Sequence, residues 1–462
     1  MKQSRNINMT TGNPSRLLAM FALPMLIGNL FQQAYNLVDS MIVGRFVGAD
    51  ALAAVGSTGS VTFLFFSICN GLSSGAGVVT SQYFGAGDAR KTKRAIANAA
   101  YIMFASAILM GTVAFFVAPS MLHLMGTPEN ILPDAITYMR MSCIGVPLIA
   151  VYNYSSSMLR ALGDSRTPLY FLIFATFLNA AMDVLFVCVF HMGVFGAALA
   201  TIIAQLISGM GCLLYAIRHN PYFMLSRENM KIDPQVIKHS VRLGLPMAMQ
   251  WSMIAVSTTA LQAFVNSFGT AAMAAFTATT RIEQLLQQPY GSMNAALSTY
   301  TGQNFGAKRM DRVKNGLKHA MTMAAVFTLM MLMIVQLLGD QIISFFVEDQ
   351  EVIRIGGLAL RITSWFYIFL ALIYMTRGVL NGVGDALFSF INGVVEVACR
   401  IGLPLLLVAV TSIGMWGIWW TTGLTWTISG IVCFLRYLSW RKKADSKAAD
   451  APAQADNDLK AE

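Results

Sequence analysis

Charge is scarce in this chain. Only 12% of its 462 residues are Asp, Glu, Lys or Arg, against about 25% in an average soluble domain. That shortage argues against a soluble globular fold, and 56% hydrophobic residues with a mean hydropathy of +0.59 point to a membrane. Catalytic signatures are missing too. There is no HExxH and no GxSxG, and the five histidines (His123, His191, His219, His239 and His319) fall in loops or at helix ends, as solvated side chains do. A membrane enzyme is disfavoured on those grounds. The six cysteines form no CxxC or other metal spacing, which excludes a disulfide framework or zinc site. The first sixteen residues are polar and the apolar run after them is too long for an h-region, so no cleavable signal peptide is expected and the first helix reads as an uncleaved signal.

What the chain does have is long apolar runs. A spanning helix needs about 20 mostly apolar residues, and twelve stretches qualify, at 17–43, 52–80, 95–118, 135–157, 167–190, 194–217, 243–267, 272–300, 319–339, 355–376, 386–410 and 414–437. The expectation is an all-α integral membrane protein of twelve transmembrane helices. Its order would be an N-terminus at 1–16, a first lobe at 17–217, an inter-lobe linker at 218–242, a second lobe at 243–440 and a disordered tail at 441–462, too polar to bury a core. Basic residues gather in alternate loops: around Lys2, Arg5 and Arg16, Arg90–Arg94, Arg160 and Arg166, 218–242, Lys308–Lys318, Arg377 and Arg436–Lys443. The opposite loops are mostly acidic, Arg45 and Arg354 excepted. Excess Lys and Arg mark the cytoplasmic side, so both termini are expected there. The net charge of +10 is explained by that bias and does not imply nucleic acid.

Four carboxylates sit within or beside the apolar runs: Asp39, Asp183, Glu283 and Glu396. Charge at the bilayer centre costs about 2.5–3.5 kcal/mol on insertion scales and persists where it is paired, faces water or binds an ion. Residues four apart share a helix face, which pairs Tyr35 with Asp39 and Asn179 with Asp183. Counted from the cytoplasmic Arg16 and Arg166 at about 1.5 Å per residue, both acids fall in the outer half of the membrane. Tyr138 and Thr201 begin helices from the outside and reach similar depth. These side chains could converge in one polar pocket. Two carboxylates withdrawn from water together favour a shared proton and titrate as a coupled pair; the same oxygens, with Asn179 and Thr201, could instead ligate Na⁺. Tyr35 and Tyr138 also read as interfacial aromatic anchors, and Thr201 as a hydroxyl bonded to its own helix.

The two halves repeat. Leu162-Gly-Asp164 returns as Val383-Gly-Asp385, Gln82-Tyr-Phe-Gly-Ala86 as Gln303-Asn-Phe-Gly-Ala307, Gly193-Val-Phe-Gly196 as Gly414-Met-Trp-Gly417 and Ser208-Gly209 as Ser429-Gly430, each 221 positions on. Leu23-Pro-Met25 returns at Leu245-Pro-Met247, 222 on. Six spans per copy keep both copies in one orientation. Parallel repeats about an axis along the membrane normal are a transporter plan, with the path between the halves.

These motifs give the chain a family likeness. Pro24 with Tyr35-Asn-Leu-Val-Asp39 and Val43-Gly44, the QxFGA pair before basic loops, Arg160-Ala-Leu-Gly-Asp164, and Asn179 with Asp183 resemble the multidrug and toxic compound extrusion (MATE) family over about residues 10–440. The resemblance implies a two-lobed antiporter, acting as a monomer in the cytoplasmic membrane. It would export organic, cationic and amphipathic drugs or metabolites in exchange for H⁺ or Na⁺, with lipid as surroundings and no other cofactor. It implies a cation-coupling site at Tyr35, Asp39, Tyr138, Asn179, Asp183 and Thr201, with Asn153 as a further candidate.

The second half lacks matching acids, since Asp39 maps near Ala260 and Asp183 to Pro404. Glu396 precedes Arg400 by four, the spacing of a self-neutralising ion pair; alternatively Glu396 or Glu283, with Gln250 and Arg400, lines a substrate cavity. Pro24, inside the helix that carries Asp39, is expected to kink it and could couple protonation to bending. An alternative cargo is a lipid-linked saccharide flipped by the same fold, for which a basic cavity drawing on Arg140, Arg281, Arg361 or Arg400 would suit the pyrophosphate.

Overall fold

A computed structural model describes residues 7–409 and 413–449. Fourteen α-helices follow one another: α1 (Pro14–Phe46), α2 (Ala49–Gly85), α3 (Ala89–Leu124), α4 (Leu132–Ala161), α5 (Arg166–Asp183), α6 (Gly193–His219), α7 (Pro234–Val265), α8 (Thr270–Leu286), α9 (Gln288–Gly306), α10 (Met310–Ser344), α11 (Gln350–Ser364), α12 (Tyr367–Val383), α13 (Ala386–Ala409) and α14 (Gly417–Ala449). Taking α8–α9 and α11–α12 each as one broken column gives twelve, and each expected span overlaps one of them, with ends that differ by up to several residues.

Nine helices among the described residues are long and apolar enough to cross a membrane, and α11–α12, bent by 53°, makes a tenth. The remaining columns, α7 and α8–α9, are more polar. Their Gln250, Thr258, Asn294 and Gln303 lie where the halves meet or within the second half, so these helices need less apolar surface than a lipid-facing one. α1 runs unbroken through Pro24. α14 extends to Ala449, where Asp445 pairs with Lys314 and lies 3.7 Å from Arg441. The tail expected to be disordered from Arg441 is thus helical at first, because these contacts hold it. Residues 450–462, like Lys2 and Arg5, lie outside the described residues.

The repeat is visible in the backbone. Left-handed residues recur at matched turns: Gly48 with Gly269, Gly163 with Gly384, and Gly193 with Gly414. α1–α6 form one half and α7–α14 the other. Across the middle, α2 meets α7 and α9, and α1 meets α9 and α10. Gly71 and Gly75 of α2 lie so close to Ala248 and Gly244 of α7 that a Cβ on either would stand within 2.6 Å of backbone, the small-residue packing that membrane helices use. At the ends carrying the basic turns the contact becomes reciprocal. A Cβ on Gly85 would meet the Gln303 carbonyl oxygen at 1.9 Å, and one on Gly306 would meet that of Gln82, also at 1.9 Å. The halves are closed there.

Candidate functional site

The first half brings its two acids together. Asp39 of α1 and Asp183 at the end of α5 are buried side-chain neighbours. Asn179, one turn before Asp183, is buried beside it. Tyr35, one turn before Asp39, donates to Thr201 Oγ1 of α6 at 2.9 Å, and Tyr138 of α4 lies within electrostatic reach of both acids. Four helices thus deliver six polar side chains to one pocket. Asn153 does not join them: it lies fifteen residues past Tyr138 on α4, roughly 22 Å along the helix.

Hydrogen bonding here is incomplete. Asp39 Oδ1, both carboxylate oxygens of Asp183 and Asn179 Nδ2 are buried without a hydrogen-bond partner. Two carboxylates cannot donate to each other, so the oxygens need a proton or a cation between them. Unsatisfied buried polar groups are costly, and a cluster of them facing one another is a site arranged for something that arrives. The donors fit a shared proton, and with Thr201 an oxygen-bound Na⁺. A feature with no sequence signal lies alongside. The chain passes from Asp183 into a π-helical turn, Val184–Val189, a distortion frequent at functional sites.

The second half is arranged otherwise. Glu396 does not pair with Arg400. Its Oε1 accepts from Arg377 Nη2 at 2.9 Å, and from Asn392 and Ser429, each at 3.3 Å. The Gln250 amide oxygen, in the orientation that satisfies both groups, accepts from Arg377 Nη1 and Nε at 2.5 and 3.2 Å. Arg377 is therefore no loop cation. It is buried in α12, where Glu396 neutralises it. Glu283 turns into the second half towards Tyr290 and Tyr367, and its Oε1 is buried.

Between the halves a cleft of about 550 Å³ lies towards the ends opposite the basic turns. Thr258, Gln262, Thr277, Thr280, Arg281 and Gln284 line it, with Gly56 and Gly59 opposite on α2. Of the four substrate-cavity candidates, Glu396 and Gln250 are committed to Arg377 and Glu283 points elsewhere. Arg400 alone reaches the cleft, donating at 3.5 Å to Thr258 Oγ1. Arg361 is paired with Asp340 at 2.9 Å, and Arg140 lies over the Phe115 ring.

The MatE family model matches residues 24–185 and 246–406, one copy in each half. The chain is 29% identical to a probable multidrug resistance protein, YpnP, of Bacillus subtilis, over 94% of this chain and 97% of that one. It is 27% identical to an FAD transporter of Shewanella oneidensis, over 94% and 96%. A crystal structure of MATE in the bent conformation superposes with a TM-score of 0.89 at 22% identity, covering 97% of this chain and all of that one.

Proposed function

The chain belongs to the MatE family, and from that we propose that it is a secondary antiporter that moves small organic compounds out of the cell against an inward flow of H⁺ or Na⁺. The observation that carries the coupling is the buried Asp39–Asp183 pair with its unpartnered oxygens. A proton or Na⁺ satisfies them, and no Lys or Arg among the described residues pairs with either acid, so occupancy changes the site's net charge. The alternation of basic and acidic loops supports both termini on the cytoplasmic side of the cytoplasmic membrane, which makes the cleft an outward-facing one. Multidrug export is supported by the name of the Bacillus relative, and transport of a phosphorylated cofactor by that of the Shewanella relative. Two lobes that meet on pseudo-equivalent helices support opening by rocking.

The test is reconstitution in liposomes under imposed pH and Na⁺ gradients. Wild-type protein should drive export with one of the two gradients. Asp39→Asn and Asp183→Asn should each bring gradient-driven export to background while substrate still binds. Export that persists in both variants removes this reading.

A further inference from the structure

The cleft between the halves has an uncompensated positive charge. Arg281 lines it, and its guanidinium has no hydrogen-bond or ion-pair partner among the described residues. Arg400 stands behind Thr258, its Nη1 on the threonine hydroxyl and its Nε buried without a partner. The acids nearest these arginines are already engaged or turned away. Glu396 is held by Arg377, Asn392 and Ser429. Glu283 lies on the far face of α8, within electrostatic range of Arg400. Glu283 and Glu396 therefore balance Arg377 and Arg400 inside the second half, and Arg281 is left over on the cleft wall. Asp50 stands six residues before Gly56 on α2, at the exposed rim rather than in the cleft. The rest of the wall offers Phe276, two glycines, and hydroxyls and carboxamides that can donate to an anion; among the described residues it has no carboxylate to hold a cation.

We propose that the central cleft of this chain takes a compound bearing an anionic group, a carboxylate, sulfonate or phosphate, seated on the Arg281 guanidinium. This rests on the efflux reading for what happens after binding, and it replaces the expectation of a cationic substrate. A planar two-oxygen anion matches the guanidinium fork, and Lys would offer charge without that geometry. A volume of about 550 Å³ is of the size that holds a drug-sized molecule. The anionic group could belong to a free solute or to a lipid headgroup entering from the side; the chemistry at Arg281 is the same.

The experiment is equilibrium binding to the purified full chain in lipid nanodiscs, read by fluorescence anisotropy, with fluorescein as the anionic probe and pyronin Y as its cationic xanthene counterpart. Wild type should bind fluorescein in preference to pyronin Y. Arg281→Gln should weaken fluorescein by about tenfold or more without weakening pyronin Y, and Arg281→Lys should recover part of the loss. Adding phosphatidylglycerol to phosphatidylcholine discs assigns the source: competition with fluorescein marks a headgroup site, and its absence a site for free anions. Unchanged fluorescein binding in Arg281→Gln overturns the proposal. So does equal weakening of both dyes, or preference of the wild type for pyronin Y. Binding is measured without a gradient, so failure of coupled export in liposomes would count against the antiporter reading alone.

Discussion

Single residues show where the two copies have diverged. Gly87 and Lys308 occupy the same turn of the repeat, after the two QxFGA segments, with φ of +74° and +58°. Glycine adopts that conformation freely, whereas an L side chain is strained in it. An L residue costs roughly 1–2 kcal/mol in this region, of which glycine's extra chain entropy gives back about 0.5–1, so Lys308→Gly should raise stability and Gly87→Lys should lower it; thermal unfolding of the two variants in detergent checks both signs. Asp164 shows the opposite relation between motif and role. Its carboxylate caps α5, accepting from the Arg166 and Thr167 amides at 3.1 and 3.0 Å and from the Thr167 hydroxyl at 2.6 Å. The LGD signature is thus a turn and a cap, and its value in the sequence lay in marking the repeat. Asp39 and Asp183 were legible because an acid in an apolar run has few physical excuses. Arg377 was misplaced for a related reason: one base near the end of a span looks like a loop residue until the acid that pairs with it, nineteen positions away, is brought to it by the fold.

Among elements, that same pair anchors a wider network. Gln250 of α7, Arg377 of α12, Glu396 and Asn392 of α13 and Ser429 of α14 form one network in which Asn392 also donates to Ser429 at 2.8 Å. Four helices of the second half are tied at one point. Removing one charge strands the other, which costs about 3–5 kcal/mol, whereas replacing both by apolar residues of like volume is often neutral or better. Glu396→Ala should accordingly destabilise the protein by about 3–5 kcal/mol, and Arg377→Met with Glu396→Leu should restore most of it. Equal loss in the single and double variants, measured by thermal unfolding, would mean that the network does more than neutralise itself. No helix period foretells such a network, because its members lie on four different faces. The existence and order of the twelve columns was readable from hydropathy and length. The breaks at Leu286–Gln288 and Ser364–Tyr367 and the π-helical turn after Asp183 were not. They depend on what each helix packs against.

At the scale of the whole molecule, the repeat makes a latch. Gln82 Nε2 donates to the Gly382 carbonyl at 2.9 Å, and Gln303 Nε2 donates to the Ala161 carbonyl at 3.1 Å. Glutamines and acceptors are both related by the same 221-residue shift that relates the halves, so each lobe's glutamine grips the other lobe at the basic end. The N-terminal segment adds a one-sided strap. Met9 N donates to Gln303 Oε1 at 2.9 Å, and its carbonyl accepts from Asn304 and Arg312, both at 3.1 Å. Ile7 meanwhile packs on Gly163 in the first half. In the rocking proposed above, opening at the basic end must break both glutamine bonds at once, while the cleft at the other end closes. A net hydrogen bond contributes about 1 kcal/mol, so Gln82→Ala with Gln303→Ala should favour the inward-open state by about 2 kcal/mol, roughly thirtyfold in population. Cysteines placed on α2 and α9 near Gly85 and Gly306 should then react faster with a membrane-impermeant thiol reagent from the basic side, and either single variant should show an intermediate rate. If the double variant reacts no faster than wild type, closure at this end rests on the glycine contacts of α2 and α9 alone, and the glutamines of the repeated motif hold only their own turns.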